Sequence, residues 1–170
     1  YSTSLKRIPI LDAMTLGTLF TLRLAIGVAA VGVAWSPWLL TFSMFLFTSL
    51  SFAKRHVEMR GAIKAGKSGQ IAGRGYQSAD APIVLAFGIA AGIASVVIFI
   101  LYLSNEAFRN AALAAPLALW VFPPVLMLWI GRIWILAGRE AYEIVLNIAV
   151  WTKPNAGMGS FYRSPHEFVG

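Results

Sequence analysis

Apolar residues fall into four long blocks separated by short polar stretches, and the pattern predicts four membrane-spanning helices. The first block runs roughly from Ile10 to Ala34, interrupted by Asp12 near its start and Arg23 inside it. The others run from about Trp38 to Val57, Pro82 to Leu103 and Ala111 to Leu136. At about 1.5 Å rise per residue, blocks of about 20 residues cross roughly 30 Å of hydrocarbon. None alternates polar and apolar residues with period two, so helices and not a β-barrel are expected. The expected fold is an all-α, multi-pass transmembrane helix bundle of about four spans.

The polar stretches orient it. The loop from Lys54 to Asp80 collects Lys54, Arg55, Arg60, Lys64, Lys67 and Arg74 against Glu58 and Asp80. An excess of Lys and Arg in a short loop marks the cytoplasmic side. Lys6 and Arg7 before the first span, and Arg139, Lys153 and Arg163 after the fourth, put both ends on that side as well. Trp35-Ser36-Pro37-Trp38 is an uncharged turn on the far side, its two Trp suited to the membrane interface. Residues 1–139 form the transmembrane part. In 140–170, the apolar run Ala141 to Trp151 is too short to span, so it either lies in the interface or begins an unfinished span. The Gly-, Pro- and Ser-rich tail after it reads as loop.

Composition sharpens this picture. Of 170 residues, 58% are hydrophobic and 12% charged, too little polar surface for a soluble domain of this size. The net charge of +7 sits beside apolar spans, where it meets anionic lipid headgroups and not nucleic acid. The expected partners are membrane lipids and other transmembrane subunits, and the expected location is a membrane, with the basic loop on its cytoplasmic side. No signal-peptide pattern opens the chain. It has no cysteine, which excludes disulfides, thiol catalysis and thiolate metal sites.

Two packing signals lie inside the spans. Gly88 and Gly92, with Ala86, Ala90, Ala91, Ala94 and Ser95, give the third helix a small-residue face that another helix can approach closely. Pro123-Pro124 removes two backbone donors near the middle of the fourth span and is expected to kink it.

Candidate chemistry is sparse. Gly61 to Ser68 matches the phosphate-loop pattern G-x-x-x-x-G-K-[ST], but that motif works between a strand and a helix, and here it follows a membrane helix. A basic, Gly-rich loop matches it by chance. Arg23, costly inside a span, faces a cavity as a ligand contact or is satisfied by carbonyls or a neighbouring helix. Arg132, between Trp129 and Trp134, snorkels to the cytoplasmic interface. His56 and His166 are the two histidines, and nothing near either completes a metal site. No nucleophile–base set or paired carboxylates can be assembled. Lys54 and Glu58 share a helix face, which allows an i,i+4 pair. A sharper reading is a basic cluster that faces Lys6 and Arg7 across a cavity mouth and holds a diphosphate.

One stretch carries a family resemblance. Tyr1-Ser2-Thr3-Ser4-Leu5-Lys6-Arg7-Ile8-Pro9-Ile10-Leu11-Asp12 resembles the start of the fourth helix of UbiA-type prenyltransferases, nearest the branch of decaprenyl-phosphate phosphoribosyltransferases. Thr21-Leu22-Arg23, Trp38 to Phe47, Lys54-Arg55 with Glu58, Gly73-Arg74-Gly75-Tyr76, Asp80-Ala81-Pro82, Leu119-Trp120 and Trp129 to Trp134 follow in the same order. The resemblance covers Tyr1 to about Arg139. It implies a helical membrane enzyme that uses a polyprenyl phosphate or diphosphate with Mg²⁺, in a cavity open to the cytoplasm. By position, Lys6, Arg7, Lys54, Arg55 and Arg74 would bind phosphate or an anionic lipid, and Glu58 and Arg23 would face the cavity.

The sequence departs from that family at both ends. The Asp-rich motif N-D-x-x-D, which holds the metal, would lie upstream of Tyr1. After Arg139 the chain reads Glu140-Ala141-Tyr142-Glu143-Ile144 and then an unfamiliar tail. The expectation is therefore a chain that is not catalytic as it stands, with no catalytic or metal residues of its own. It would act as an accessory subunit of a larger membrane complex, photosynthetic or respiratory, with quinone, pigment or lipid contacts open to it. The alternative is the C-terminal half of an active polyprenyl-phosphate-dependent transferase.

Overall fold

The computed structural model of the chain describes residues 8–32, 34–64, 66, 75–107 and 116–139. Among them the regular structure is helical: α1 (Leu11–Val31), α2 (Pro37–Lys64), α3 (Ala81–Tyr102) and α4 (Phe122–Gly138). A short 3₁₀ segment, Ser78–Asp80, leads into α3, a π-helical turn, Leu103–Ala107, follows it, and a second 3₁₀ segment, Pro116–Val121, leads into α4.

Local sequence explains the breaks. Gly32 ends α1 with φ 72°, a left-handed cap that costs glycine nothing, and its N–H returns to the Ala29 carbonyl at 3.2 Å. Pro37 then opens α2, where its missing N–H is no loss, and the Ser36 hydroxyl accepts the Leu39 N–H at 3.2 Å. α2 does not stop near Val57. It continues through the first part of the expected basic loop to Lys64. Pro123 and Pro124 also differ from expectation. They lie in the first turn of α4, after the 3₁₀ segment, where the helix needs no N–H donors, so no mid-helix kink results.

α2 is the central helix and packs against α1, α3 and α4, while α3 also packs on α4. Side-chain pairs fix the directions. Asp12 meets Arg55 and Thr21 meets Ser43, so α1 and α2 are antiparallel. His56 meets Ala81 and Ser49 meets Gly88, so α2 and α3 are antiparallel. Gly88 faces Trp134 and Gly92 faces Ile130, which reverses α4 against α3. The starts of α1 and α3 and the ends of α2 and α4 therefore share one end of the bundle.

Among the described residues, three stretches are long and apolar enough to cross a membrane: Leu11–Val31, Ser78–Glu106 and Ala118–Gly138. α2 is not among them despite its 28 residues: it carries Ser43, Thr48, Ser49, Ser51, Arg55 and His56, which lower its hydropathy and are all buried. Its surroundings are protein, and polar residues are tolerated there once hydrogen-bonded. The exterior is the reverse, with Leu22, Ile26, Val31, Ile93, Val125 and Leu128 exposed. An exterior this apolar, around a core that also holds hydrogen-bonded polar side chains, is the arrangement of a membrane protein.

Candidate functional site

The best-built polar site lies at the shared end. Asp12 falls in the first turn of α1, where a carboxylate suits the helix dipole, and is fully buried. Arg55 comes from the last third of α2 and is 3% exposed. Its Nε donates to Asp12 Oδ2 at 2.6 Å, and its Nη1 donates to Glu58 Oε2 at 2.8 Å, one turn along the same helix. A guanidinium this deep is tolerable only because two carboxylates share it.

A second layer holds the backbone around that cluster. Tyr76 is buried, and its hydroxyl accepts the Ile10 N–H at 2.8 Å. Ile10 itself has φ 69° and ψ −51°, and the Leu11 N–H reaches back to the Pro9 carbonyl at 2.7 Å. That is a γ-turn of the rare positive-φ kind, which a β-branched residue adopts only under constraint. The constraint is visible: the Tyr76 hydroxyl on one side, Asp12 anchored two residues on. Gln77 and Asp80 cap the approach to α3 reciprocally, the Gln77 N–H donating to Asp80 Oδ2 at 2.8 Å. His56 Nδ1 lies 3.3 Å from the Ala81 carbonyl, so Nδ1 carries the proton.

Half the bundle away, the interior is held by neutral groups. The Ser49 hydroxyl donates to the Gly88 carbonyl at 2.7 Å and accepts the Trp134 Nε1–H at 3.2 Å, tying α2, α3 and α4 at one point. Gly88 and Gly92 make that approach possible. A Cβ at Gly88 would collide with the Trp134 ring and come within 2.8 Å of Phe52 Cβ, and one at Gly92 would lie 2.8 Å from Ile130 Cγ2. The Gly88 and Gly92 side of α3 is thus occupied within the chain, by α2 and α4, while Ala86 and Ala90 are exposed. Gly17 does the same for α1, where a Cβ would collide with Thr48 Oγ1 and sit 3.0 Å from the Thr48 backbone nitrogen.

No protein-family profile matches the chain, and no solved structure matches it. Among curated proteins it is 42% identical over 165 residues to the uncharacterized protein y4nM of Sinorhizobium fredii, which covers 96% of this chain and 32% of that protein. It is 32% identical over 120 residues to the nodulation protein NoeC of Azorhizobium caulinodans, which covers 66% of this chain and 39% of NoeC. The chain spans about a third of the length of the curated relatives it matches.

The residues singled out from sequence are distributed unevenly. Arg55 and Glu58 are brought together, and Arg55 is engaged by carboxylates and buried instead of lining an open mouth. Lys54 is half-buried on the neighbouring face of α2. Lys6, Arg7 and Arg74 lie outside the described residues, as do His166 and the run from Ala141 to Trp151. Arg23 departs from expectation. It is exposed on the outside of α1, its guanidinium 5.3 Å from the Phe20 ring, and lines no cavity among the described residues. The reason is helical phase: Ala13, Gly17 and Ala25 turn toward α2, and Arg23 falls on the opposite side. Of the phosphate-loop pattern, Gly61 to Lys64 are helical and Gly66 has φ 68°, so the motif starts on a helix end. Asp12, Tyr76 and Gly17 are additions the sequence reading did not single out. Asp12 and Tyr76 each fall in a stretch that carries the family resemblance, but nothing there marked them as site residues, whereas Gly17 belongs to an Ala13-Gly17-Thr21-Ala25 series at helical spacing.

Proposed function

We propose that the chain forms the membrane-embedded scaffold and one polar wall of a polyprenyl-phosphate-dependent transferase of the UbiA type, in a bacterial inner membrane. The observation that carries this reading is the Asp12–Arg55–Glu58 cluster, a preorganised ionic site at one end of an otherwise apolar bundle. Such a site is costly in a membrane and is retained where a polar ligand is handled. Its residues also fall at the positions where the resemblance to decaprenyl-phosphate phosphoribosyltransferases places the polar loops. Lys6 and Arg7 precede Ile10 in sequence by four and three residues, and Arg74 precedes Tyr76 by two. In this reading they supply the positive charge for phosphate, while the cluster fixes the helix ends that present them. The four helices cross the membrane with both ends cytoplasmic. The metal-holding carboxylates of such an enzyme come from helices other than these four, so the chain alone is not catalytic. The name of NoeC adds a rhizobial setting in which nodulation is the process served.

The test is transfer in membranes. Membranes from cells expressing the reading frame that contains this chain are given phosphoribosyl diphosphate, radiolabelled decaprenyl phosphate and Mg²⁺. Labelled product that disappears with Asp12→Ala supports the transferase. A second reading, a non-catalytic accessory subunit of a photosynthetic or respiratory complex with lipid, quinone or pigment contacts, is favoured by the large exposed apolar faces of α1, α3 and α4. Co-purification with such a complex and no turnover would select it.

A further inference from the structure

The outer face of α1 carries a cation in the wrong place for lipid. Leu19, Leu22, Arg23, Ile26 and Ala30 lie on the side of α1 turned away from α2, and all are exposed. Arg23 stands eight residues from Val31, the nearer end of α1, or about 12 Å at 1.5 Å per residue. Helical side chains lean toward the N-terminus. The contact with Phe20, one turn earlier, shows that Arg23 does so, turning its charge toward the middle of the span and away from the nearer interface. Snorkelling therefore does not explain it, in contrast to Arg132, which lies within two turns of the polar end of α4. Nor do the described residues supply an anion at that depth. Among the described residues the carboxylates are Asp12 and Glu58 on Arg55, Asp80 capping the approach to α3, and Glu106 beyond α3.

We infer that the Leu19–Leu22–Arg23–Ile26 face of α1 docks a further transmembrane helix that bears an Asp or Glu at mid-membrane depth, paired with Arg23. A second copy of this chain is a poor occupant, because two-fold packing on this face sets Arg23 against Arg23, and the described residues hold no mid-depth carboxylate to answer it. A lipid surface is excluded by the same depth argument, since phosphate headgroups lie at the interface. The exposed Leu and Ile on either side of Arg23 would seal the ion pair from lipid.

Photo-crosslinking in the native membrane tests this. Benzoylphenylalanine is placed at Leu19 or Ile26, with Val97 on the outer face of α3 as the comparison, in the full reading frame. The expected result is a protein adduct at Leu19 and Ile26 whose cross-linked peptide, identified by mass spectrometry, is a membrane-spanning helix containing Asp or Glu. Arg23→Glu should reduce that adduct at least tenfold, Arg23→Lys should keep it, and Arg23→Glu combined with the partner acid changed to Lys should restore it. Lipid adducts alone at Leu19 and Ile26 would overturn the inference. So would a partner peptide without a carboxylate, a cross-link from one copy of this face to the same face of another, or an adduct indifferent to Arg23→Glu.

Discussion

The two ends of the α2 packing surface are held in different ways. At one end Arg55 is fixed by two carboxylates at 2.6 and 2.8 Å, beside a strained turn at Ile10. Toward the other, Ser43 and Thr21 share hydroxyls at 3.1 Å, and Thr48 lies in the notch made by Gly17. The first region depends on charge and is intolerant of losing one member; the second depends on close approach of backbones and is intolerant of added volume. Two ways of holding helices together are thus separated along one helix: charge pairing at Arg55, and hydroxyl and glycine contacts toward Ser43.

The largest effect should come from Asp12→Ala. It leaves a buried guanidinium short of a partner, a loss of about 3–5 kcal/mol in unfolding measured in mixed micelles. Combined with Arg55→Met it should recover part of that loss, because no buried guanidinium then remains short of a partner and Glu58, which loses Arg55, is partly exposed. If the single and double variants are equally unstable, the charge contrast between the two regions is mistaken.

Added volume comes next. Gly17→Ala should cost about 1–3 kcal/mol, since its Cβ meets Thr48 near the backbone, where little can give. Gly88→Leu should destabilise the isolated chain itself, and not merely its association with partners, because the face it fills is used by Phe52 and Trp134. A Gly88→Leu chain as stable as its parent in micelles would contradict that.

How much of this could be read beforehand varies with the range of the interaction. The apolar blocks located α1 and α3 to within a few residues, because hydrophobic length and helix punctuation are local. Val57 was the wrong end for α2, since Arg55 and Glu58 look like loop until Asp12, 43 positions away from Arg55, is known to pair with the guanidinium. Pro123-Pro124 misled for the opposite reason: its effect depends on where the helix begins, and 3₁₀ and α-helical turns share one apolar pattern. Gly88 and Gly92 were legible as small residues, but not which helices they would meet. Arg23 was legible as costly, but its direction depends on the phase of α1 against α2.

Smaller effects sharpen the comparison. Ser49→Ala removes the acceptor of the Trp134 N–H and should cost about 1 kcal/mol, typical of a hydrogen bond between membrane helices. Thr15→Ala deletes only a bond to its own helix, Thr15 Oγ1 to the Leu11 carbonyl at 2.6 Å, and should change stability by less than about 0.5 kcal/mol. Together the two variants separate hydroxyls that join helices from hydroxyls that merely accompany one.

The alternating direction of the four helices has an electrical consequence. Each helix behaves as if it carried roughly half a positive charge at its start and half a negative charge at its end. Two starts and two ends meet at the ionic end, so these partial charges nearly cancel. The bundle therefore adds little standing potential of its own, and the field there is set by side chains, Asp12 and Glu58 against Arg55 first among them. Changing one such residue would alter the local potential directly, with no backbone field to mask it.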